Sequence, residues 1–123
     1  GFMSYVDGFV FAVPKQKVAE YKRIATKAGK VWMEHGALAY WECLGDDLPK
    51  QKKGSVSFPG MGLAKPAELI GFSWIVYKSR AHRDKAIKKV WSDPRLAKMM
   101  NPNAMPFDMK RMAYGGFKKL VSF

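Results

Sequence analysis

Apolar positions along this chain follow two periods, and the period changes at proline or glycine. Tyr5-Val6-Asp7-Gly8-Phe9-Val10-Phe11-Ala12-Val13 is dense in β-formers and predicts a strand, which Pro14 stops. From Lys15 to His35 the apolar stripe runs through Val18, Tyr21, Ala25, Ala28, Trp32 and His35, in steps of three and four residues that mark one face of a helix. The other faces carry Lys15, Lys17, Lys22, Arg23, Lys27 and Lys30, and Gly36 stands where a helix C-cap needs glycine. Ala37 to Leu44 predicts a second strand, ending at Gly45-Asp46-Asp47. Residues 46–68 then hold four lysines, three glycines and three prolines and predict a long loop, with Ser55-Val56-Ser57-Phe58 as a short edge strand inside it.

Leu69-Ile70-Gly71-Phe72-Ser73-Trp74-Ile75-Val76-Tyr77 is apolar at nearly every position and predicts the third main strand. Ser79 is placed to cap a helix from Arg80 to about Trp91, and Asp93-Pro94 to open a short one reaching Met100. Asn101-Pro102 breaks that helix. Arg111 to Phe117 predicts a last strand, bulged at Gly115-Gly116. The order is βαββαβ, that of ferredoxin-like folds: an antiparallel sheet with two helices on one face. Both faces of its strands read as apolar, however: Phe72, Trp74 and Val76 alternate with Ser73, Ile75 and Tyr77, and Phe9 and Phe11 oppose Val6 and Val10. A sheet wetted on one side alternates apolar with polar. Two helices hide one face, so something must cover the other, and a second copy of the chain is the simplest candidate.

Composition narrows the class. At 123 residues the chain fits one domain, expected over 3–123, with Gly1 and Phe2 before Met3 read as a remnant of expression. Hydrophobic residues make up 48%, which argues against disorder, and no apolar run approaches a membrane span, so no membrane partner is expected. One cysteine, Cys43, excludes an intrachain disulfide and fits a cytoplasmic protein. The net charge of +12 predicts attraction to polyanions, or simply solvated helix faces, since the lysines are spread through every segment.

Four longer phrases carry a resemblance: Met3 to Phe9, Gly29 to Ala37, Phe72 to Asp84, and Met105 to Met112. They resemble the YbaA-like family of small bacterial proteins of unknown function. The resemblance implies a dimeric α+β barrel in which two sheets pack face to face, a fold shared with small cofactor-independent monooxygenases, haem-degrading enzymes and stress-related proteins. It implies no activity and no catalytic residues.

Candidate chemistry is sparse. His35, on the apolar stripe, is a weak candidate for an acid or base, with a helix-ending histidine as the plainer reading. His35, Tyr40, Glu42, Trp74 and Tyr77 are the expected lining of a pocket between sheet and helices, against the plainer reading of core or dimer interface. Arg80, His82 and Arg83 form a candidate anion site at a helix start, against a capped, solvated first turn. Met99, Met100, Met105, Met109 and Met112 read as gap-fillers. The two histidines and one cysteine make no metal signature, and no phosphate loop, dinucleotide fingerprint or nucleophilic triad is present, so no cofactor is expected. Gly71 to Tyr77 resembles the aromatic strand of RNA recognition motifs, with Phe72 and Trp74 as the stacking pair, although Ile70 stands where a basic residue belongs.

Three functions follow. The first is a homodimeric small-molecule binder, with enzymatic chemistry left open. The second is a nucleic-acid or polyanion binder using Lys22, Arg23, Arg80, Arg83, Lys88 and Lys89. The third is a structural or stress-associated dimer without catalysis.

Overall fold

The computed structural model describes residues 4–50, 54–99 and 105–123. Gly1 to Met3, the end predicted at Met100 and the Asn101-Pro102 break lie outside them. Four antiparallel strands form one sheet: β1 (Tyr5–Pro14), β2 (Ala39–Leu44), β3 (Glu68–Tyr77) and β4 (Ala113–Lys118), in the spatial order β2-β3-β1-β4. The helices are α1 (Val18–Glu34), preceded by a 3-10 turn at Lys15–Lys17, α2 (Phe58–Met61), α3 (Arg80–Trp91) and α4 (Pro94–Met99). With β1 and β3 paired in the centre, the chain has the ferredoxin-like α+β order that its periodicity predicts. No helix among the described residues is long and apolar enough to cross a membrane.

The strand register assigns every side chain to a face. Phe9, Phe11 and Val13 of β1, Ser73, Ile75 and Tyr77 of β3, and Tyr40 and Glu42 of β2 share the helix side. There α1 and α3 cover them. Phe11 and Val13 pack with Tyr21 and Ala25, while Ile75 and Tyr77 pack with Ala37 and Ala86. Val31, Val90 and Leu96 lock α4 against α1 and α3. The predicted stripe on α1 is thus shifted slightly: Ile24 and Val31 are buried as well, and Trp32 is half-buried.

Gly36 ends α1 with φ at +112°, a conformation that disfavours any side chain, and its missing Cβ leaves room for the His82 ring. His35 is the cap residue itself. Its Nε2 lies 2.9 Å from Asp93, which also takes Arg95, while Arg95 reaches back 2.6 Å to Glu34. This polar knot fastens the end of α1 to the α3–α4 corner.

Opposite the helices the sheet has a different composition. Val6, Gly8, Val10 and Ala12 of β1, Ile70 to Val76 at alternate positions of β3, Ala39, Trp41 and Cys43 of β2, and Ala113, Gly115 and Phe117 of β4 face outward. None of these positions is charged. Trp41 stacks on Trp74 at 5.5 Å, and Phe72 meets the edge of Trp74 at the same distance. Trp41 stays 58% exposed, Phe72 43% and Phe117 63%.

Two local expectations are corrected. Ser55 to Phe58 is not an edge strand: Ser57 caps α2, its Oγ accepting from Gly60 N at 3.0 Å. A serine followed by Phe-Pro-Gly satisfies a helix start better than a ladder, because Pro59 has no N–H to donate. The turn of helix lays Phe58 against Phe72 and Gly62 against Ile70, closing one corner of the outer face. Nor is β4 bulged. Gly115 pairs with Gly8 and Gly116 with Asp7 in unbroken register, and Gly116 is small because the Tyr5 ring lies where its Cβ would stand.

Arg111, just before β4, holds the C-terminal segment down. It makes a two-pronged contact with Glu68 at 2.6 and 2.7 Å and donates to the Leu63 carbonyl at 3.0 Å. These bonds hold the Glu68 carboxyl at about 2, below the ordinary carboxylate range. A depressed folded-state value means stability that is present above the unfolded value of about 4.3 and lost as pH falls toward 2. Denaturant midpoints of the native protein are therefore expected to drop between about pH 4 and pH 2, and Arg111→Leu is expected to flatten that part of the profile. An unchanged slope in the variant would remove Glu68 from the account.

Candidate functional site

Three polar side chains interrupt the apolar strands on the helix side: Asp7, Glu42 and Ser73. A buried polar group in a strand needs partners, and each of these has them. Glu42 accepts from the Tyr40 hydroxyl at 2.7 Å, from the Tyr21 hydroxyl, and from Ser73. Tyr21 arrives from α1 and Tyr40 from the same strand two residues away. The ring of Tyr40 can approach α1 because Gly29 has no Cβ, which would stand 2.9 Å from it.

Burial raises the Glu42 carboxyl above its ordinary value, against the three hydroxyl donors that lower it. Burial and the neighbouring carboxylate raise the phenols of Tyr21 and Tyr40 as well, so both remain protonated donors at neutral pH.

A second polar group lies across the sheet. Asp7, 6% exposed, faces Arg83 of α3 at 3.3 Å and is bonded by the Tyr77 hydroxyl, which in turn accepts from Trp32 Nε1 at 2.9 Å. Burial raises the Asp7 carboxyl, and Arg83 counters it. Arg83 also lies 3.0 Å from Asp84, 3.3 Å from the Tyr5 hydroxyl and over the Tyr5 ring.

Between the two groups lies a cavity of about 440 Å³. Its floor is the sheet at Phe9, Ser73 and Ile75, and its roof is α1 at Tyr21, Ala25 and Ala28 together with Ile87 and Trp91 of α3. Met105, Phe107, Met109, Met112 and Tyr114 close the third side. The volume falls in the range of small-molecule sites, and the walls are apolar with a few convergent polar groups. A wider groove of about 780 Å³ runs outside, between α1 and β2, and shares Tyr21, Ala25, Tyr40 and Glu42 with the cavity.

The residues expected in the lining do not all meet. Tyr40 and Glu42 stand together in the wall. Tyr77 is fully buried behind it, linked through Asp7 and Trp32. Trp74 lies on the outer face, because it and Tyr77 differ by an odd number of residues along one strand. His35 is engaged with Asp93 at the far end of α1 and is not among the lining residues.

The anion cluster is likewise divided: Arg83 turns inward to Asp7, His82 accepts from Lys78 N at 3.0 Å through Nδ1, and Arg80 is exposed. Ser79 Oγ takes the His82 N–H, so the helix start is already capped. Three of the methionines read as gap-fillers, Met105, Met109 and Met112, line the cavity. No group of three or more His, Cys, Asp or Glu side chains among the described residues is arranged to hold a metal ion.

Sequence reasoning passed over Tyr21 as a site residue, and Asp7, Ser73 and Arg83's inward turn. The available signal was parity: Asp7, Glu42 and Ser73 are the polar residues inside otherwise apolar strands and all three fall on the helix side, whereas Glu68 only opens β3.

Comparison with known proteins places the chain among uncharacterised relatives. The family described as "Protein of unknown function (DUF1428)" matches residues 4–109. The "Uncharacterized protein YbaA" of Escherichia coli K12 is 44% identical over 119 residues, covering 97% of this chain and 98% of that protein. Among solved structures, an uncharacterized NIPSNAP domain protein from Burkholderia xenovorans aligns with a TM-score of 0.55 at 14% identity, over 97% of this chain and 94% of that one. SnoaB, a cofactor-independent oxygenase from Streptomyces nogalater, aligns with a TM-score of 0.55 at 11% identity, over 97% and 95%. These structures share the fold.

If Glu42 is held above its ordinary value by burial, its ionisation costs stability. A raised folded-state carboxyl contributes stability below the unfolded value of about 4.3, and that contribution is lost as pH rises through the folded value. Glu42→Gln is therefore expected to be more stable than the native chain at pH 7, with the gain vanishing below about pH 4. Equilibrium denaturation at several pH values checks this. A variant that is weaker than the native chain at every pH would make Glu42 a structural hub only.

Proposed function

The chain belongs to the DUF1428 family of proteins of unknown function, and we propose that it is a homodimeric small-molecule-binding protein whose ligand occupies the helix–sheet cavity. The observation that carries this reading is a half-buried carboxylate, Glu42, held by three hydroxyl donors in the wall of an apolar cavity of about 440 Å³. A carboxyl raised by burial holds a proton to higher pH than a free one and can exchange it with a ligand hydroxyl, and Tyr21 or Tyr40 can turn its hydroxyl from Glu42 to an oxygen that gains charge. The ligand best suited is a compact ring system with one hydroxyl or carbonyl directed at this trio. Proton transfer falls to Glu42 in place of His35, whose imidazole is spoken for by Asp93. SnoaB is a cofactor-independent oxygenase on the same fold, which makes chemistry by side chains alone compatible with this architecture but is an analogy only.

The dimer is part of the proposal. Two outer faces of this composition, placed sheet to sheet, would bury Trp41, Phe72, Trp74 and Phe117 of each copy and form the α+β barrel that the family resemblance implies. The competing use of the same face, stacking RNA bases on Phe72 and Trp74, is disfavoured by the lack of any lysine or arginine among its outward positions, since such surfaces combine stacking with phosphate contacts.

A thermal-shift screen of hydroxylated aromatic compounds tests the ligand reading. Binding at one hundred times Kd is expected to stabilise the protein by about 2.7 kcal/mol. Ala25→Leu, which adds bulk to the roof, is expected to abolish the shift, and Glu42→Gln to weaken it. A screen without shifts, or shifts that persist in Ala25→Leu, would refute the cavity as the site.

A further inference from the structure

The groove outside the cavity differs from it in carrying two lysines. Lys22, Thr26 and Lys30 recur every four residues along α1 and share one side of it, so the two lysines stand about 12 Å apart along the helix axis. Both line the groove, whose apolar wall is Val18, Met33 and Leu44. Neither takes part in an ion pair among the described residues, whereas of the groove's two acidic residues Glu34 is bound to Arg95 and Glu42 accepts from Tyr21 and Tyr40. Inside, the charges are arranged differently. Glu42 and Asp7 present two carboxyls, and Arg83 already faces Asp7 and Asp84. An anion entering the cavity would meet carboxyls beside an arginine already engaged; an anion in the groove would meet two lysines free of ion pairs among the described residues, with Glu34 held by Arg95 and Glu42 by its hydroxyl donors.

The two spaces are separated only by the residues they share. Tyr21, Ala25, Tyr40 and Glu42 line both, and the hydroxyl-to-carboxylate bond from Tyr21 to Glu42 joins α1 to β2 across that boundary. Lys22 follows Tyr21 directly in the chain. A molecule that replaces the Tyr21 contact by donating its own hydroxyl to Glu42 would therefore extend from cavity to groove beside a lysine.

We propose that the ligand is an amphiphilic anion, with its ring body in the cavity and a carboxylate, sulfonate or phosphate group in the groove between Lys22 and Lys30. This rests on the cavity reading given above and adds the ligand's charge and its direction of entry. The basic character of the chain acts here at two named side chains, not as a diffuse field. Lys88 and Lys89, on the exposed side of α3, provide the comparison.

Two probes that differ only in charge test it: anilinonaphthalene sulfonate and phenylnaphthylamine, the same ring system without the sulfonate. Affinities are read by fluorescence titration at low and moderate salt. The sulfonated probe is expected to bind on the order of tenfold more tightly at low salt, with the advantage shrinking as salt screens the lysines. The double variant Lys22→Gln with Lys30→Gln should erase that advantage and leave the neutral probe unchanged. The matched double variant Lys88→Gln with Lys89→Gln should alter neither.

Equal affinities for the two probes in the native protein would overturn the charged arm and leave the cavity standing. So would an equal loss of sulfonate binding in both double variants, which would trace the effect to net charge. Failure of both probes to bind, or binding undiminished by Ala25→Leu, would remove the cavity itself and this inference with it.

Discussion

A pleated strand shows alternate residues to opposite sides, and a sheet covered by helices on one side leaves the other to be covered by something else. This constraint organises the whole molecule. The helix side of the sheet receives the rare polar strand residues, Asp7, Glu42 and Ser73, with their partners Tyr21, Tyr40, Tyr77 and Arg83. The outer side receives Trp41, Phe72, Trp74, Val76 and Phe117, with no charge among them. A one-residue slip in register would exchange the two sets, so the alternation that fixes the fold also fixes the site.

The two sides have opposite energetic characters. Apolar surface in water is unfavourable at roughly 25 cal/mol per Å², so covering the outer face would be favourable. Buried carboxyls are unfavourable too, but their relief is local: hydroxyls for Glu42, a guanidinium for Asp7. Glu68 and Asp93 show the contrast. Arginine bonds hold both below the ordinary carboxylate range, and both serve to fasten chain segments. Glu42 and Asp7, shifted the other way, are the carboxyls that face a cavity. A carboxyl perturbed in that direction beside a cavity is a candidate functional group.

Much of the architecture was legible because strong local signals agreed. Pro14, Gly36 and Ser79 marked where one period gave way to another, and each does so by its own backbone or capping chemistry. Where signals were weak the reading failed. Ser55 to Phe58 had strand composition, but Ser57 and Pro59 favoured a helix start, and tertiary contact with Phe72 settled it. Of the site, Tyr40 and Glu42 were legible as neighbours of like parity. Trp74 was grouped with Tyr77 although parity separates them. Arg83 was read as a surface cation because nothing in its own segment reveals a partner 76 residues earlier in the chain, at Asp7. Tyr21 stood on the recognised stripe, yet only the packing of α1 on β2 shows that its hydroxyl ends at Glu42.

The coverage of the outer face is the point on which the architecture turns, and sedimentation equilibrium of the native chain beside Phe72→Glu measures it directly. Twice the chain mass is expected for the native protein at micromolar concentration, and a folded single chain for the variant, because a carboxylate between the joined sheets would lie unpaired. A native protein that sediments as one chain across that concentration range, with Trp41 and Trp74 open to quenchers, would contradict it.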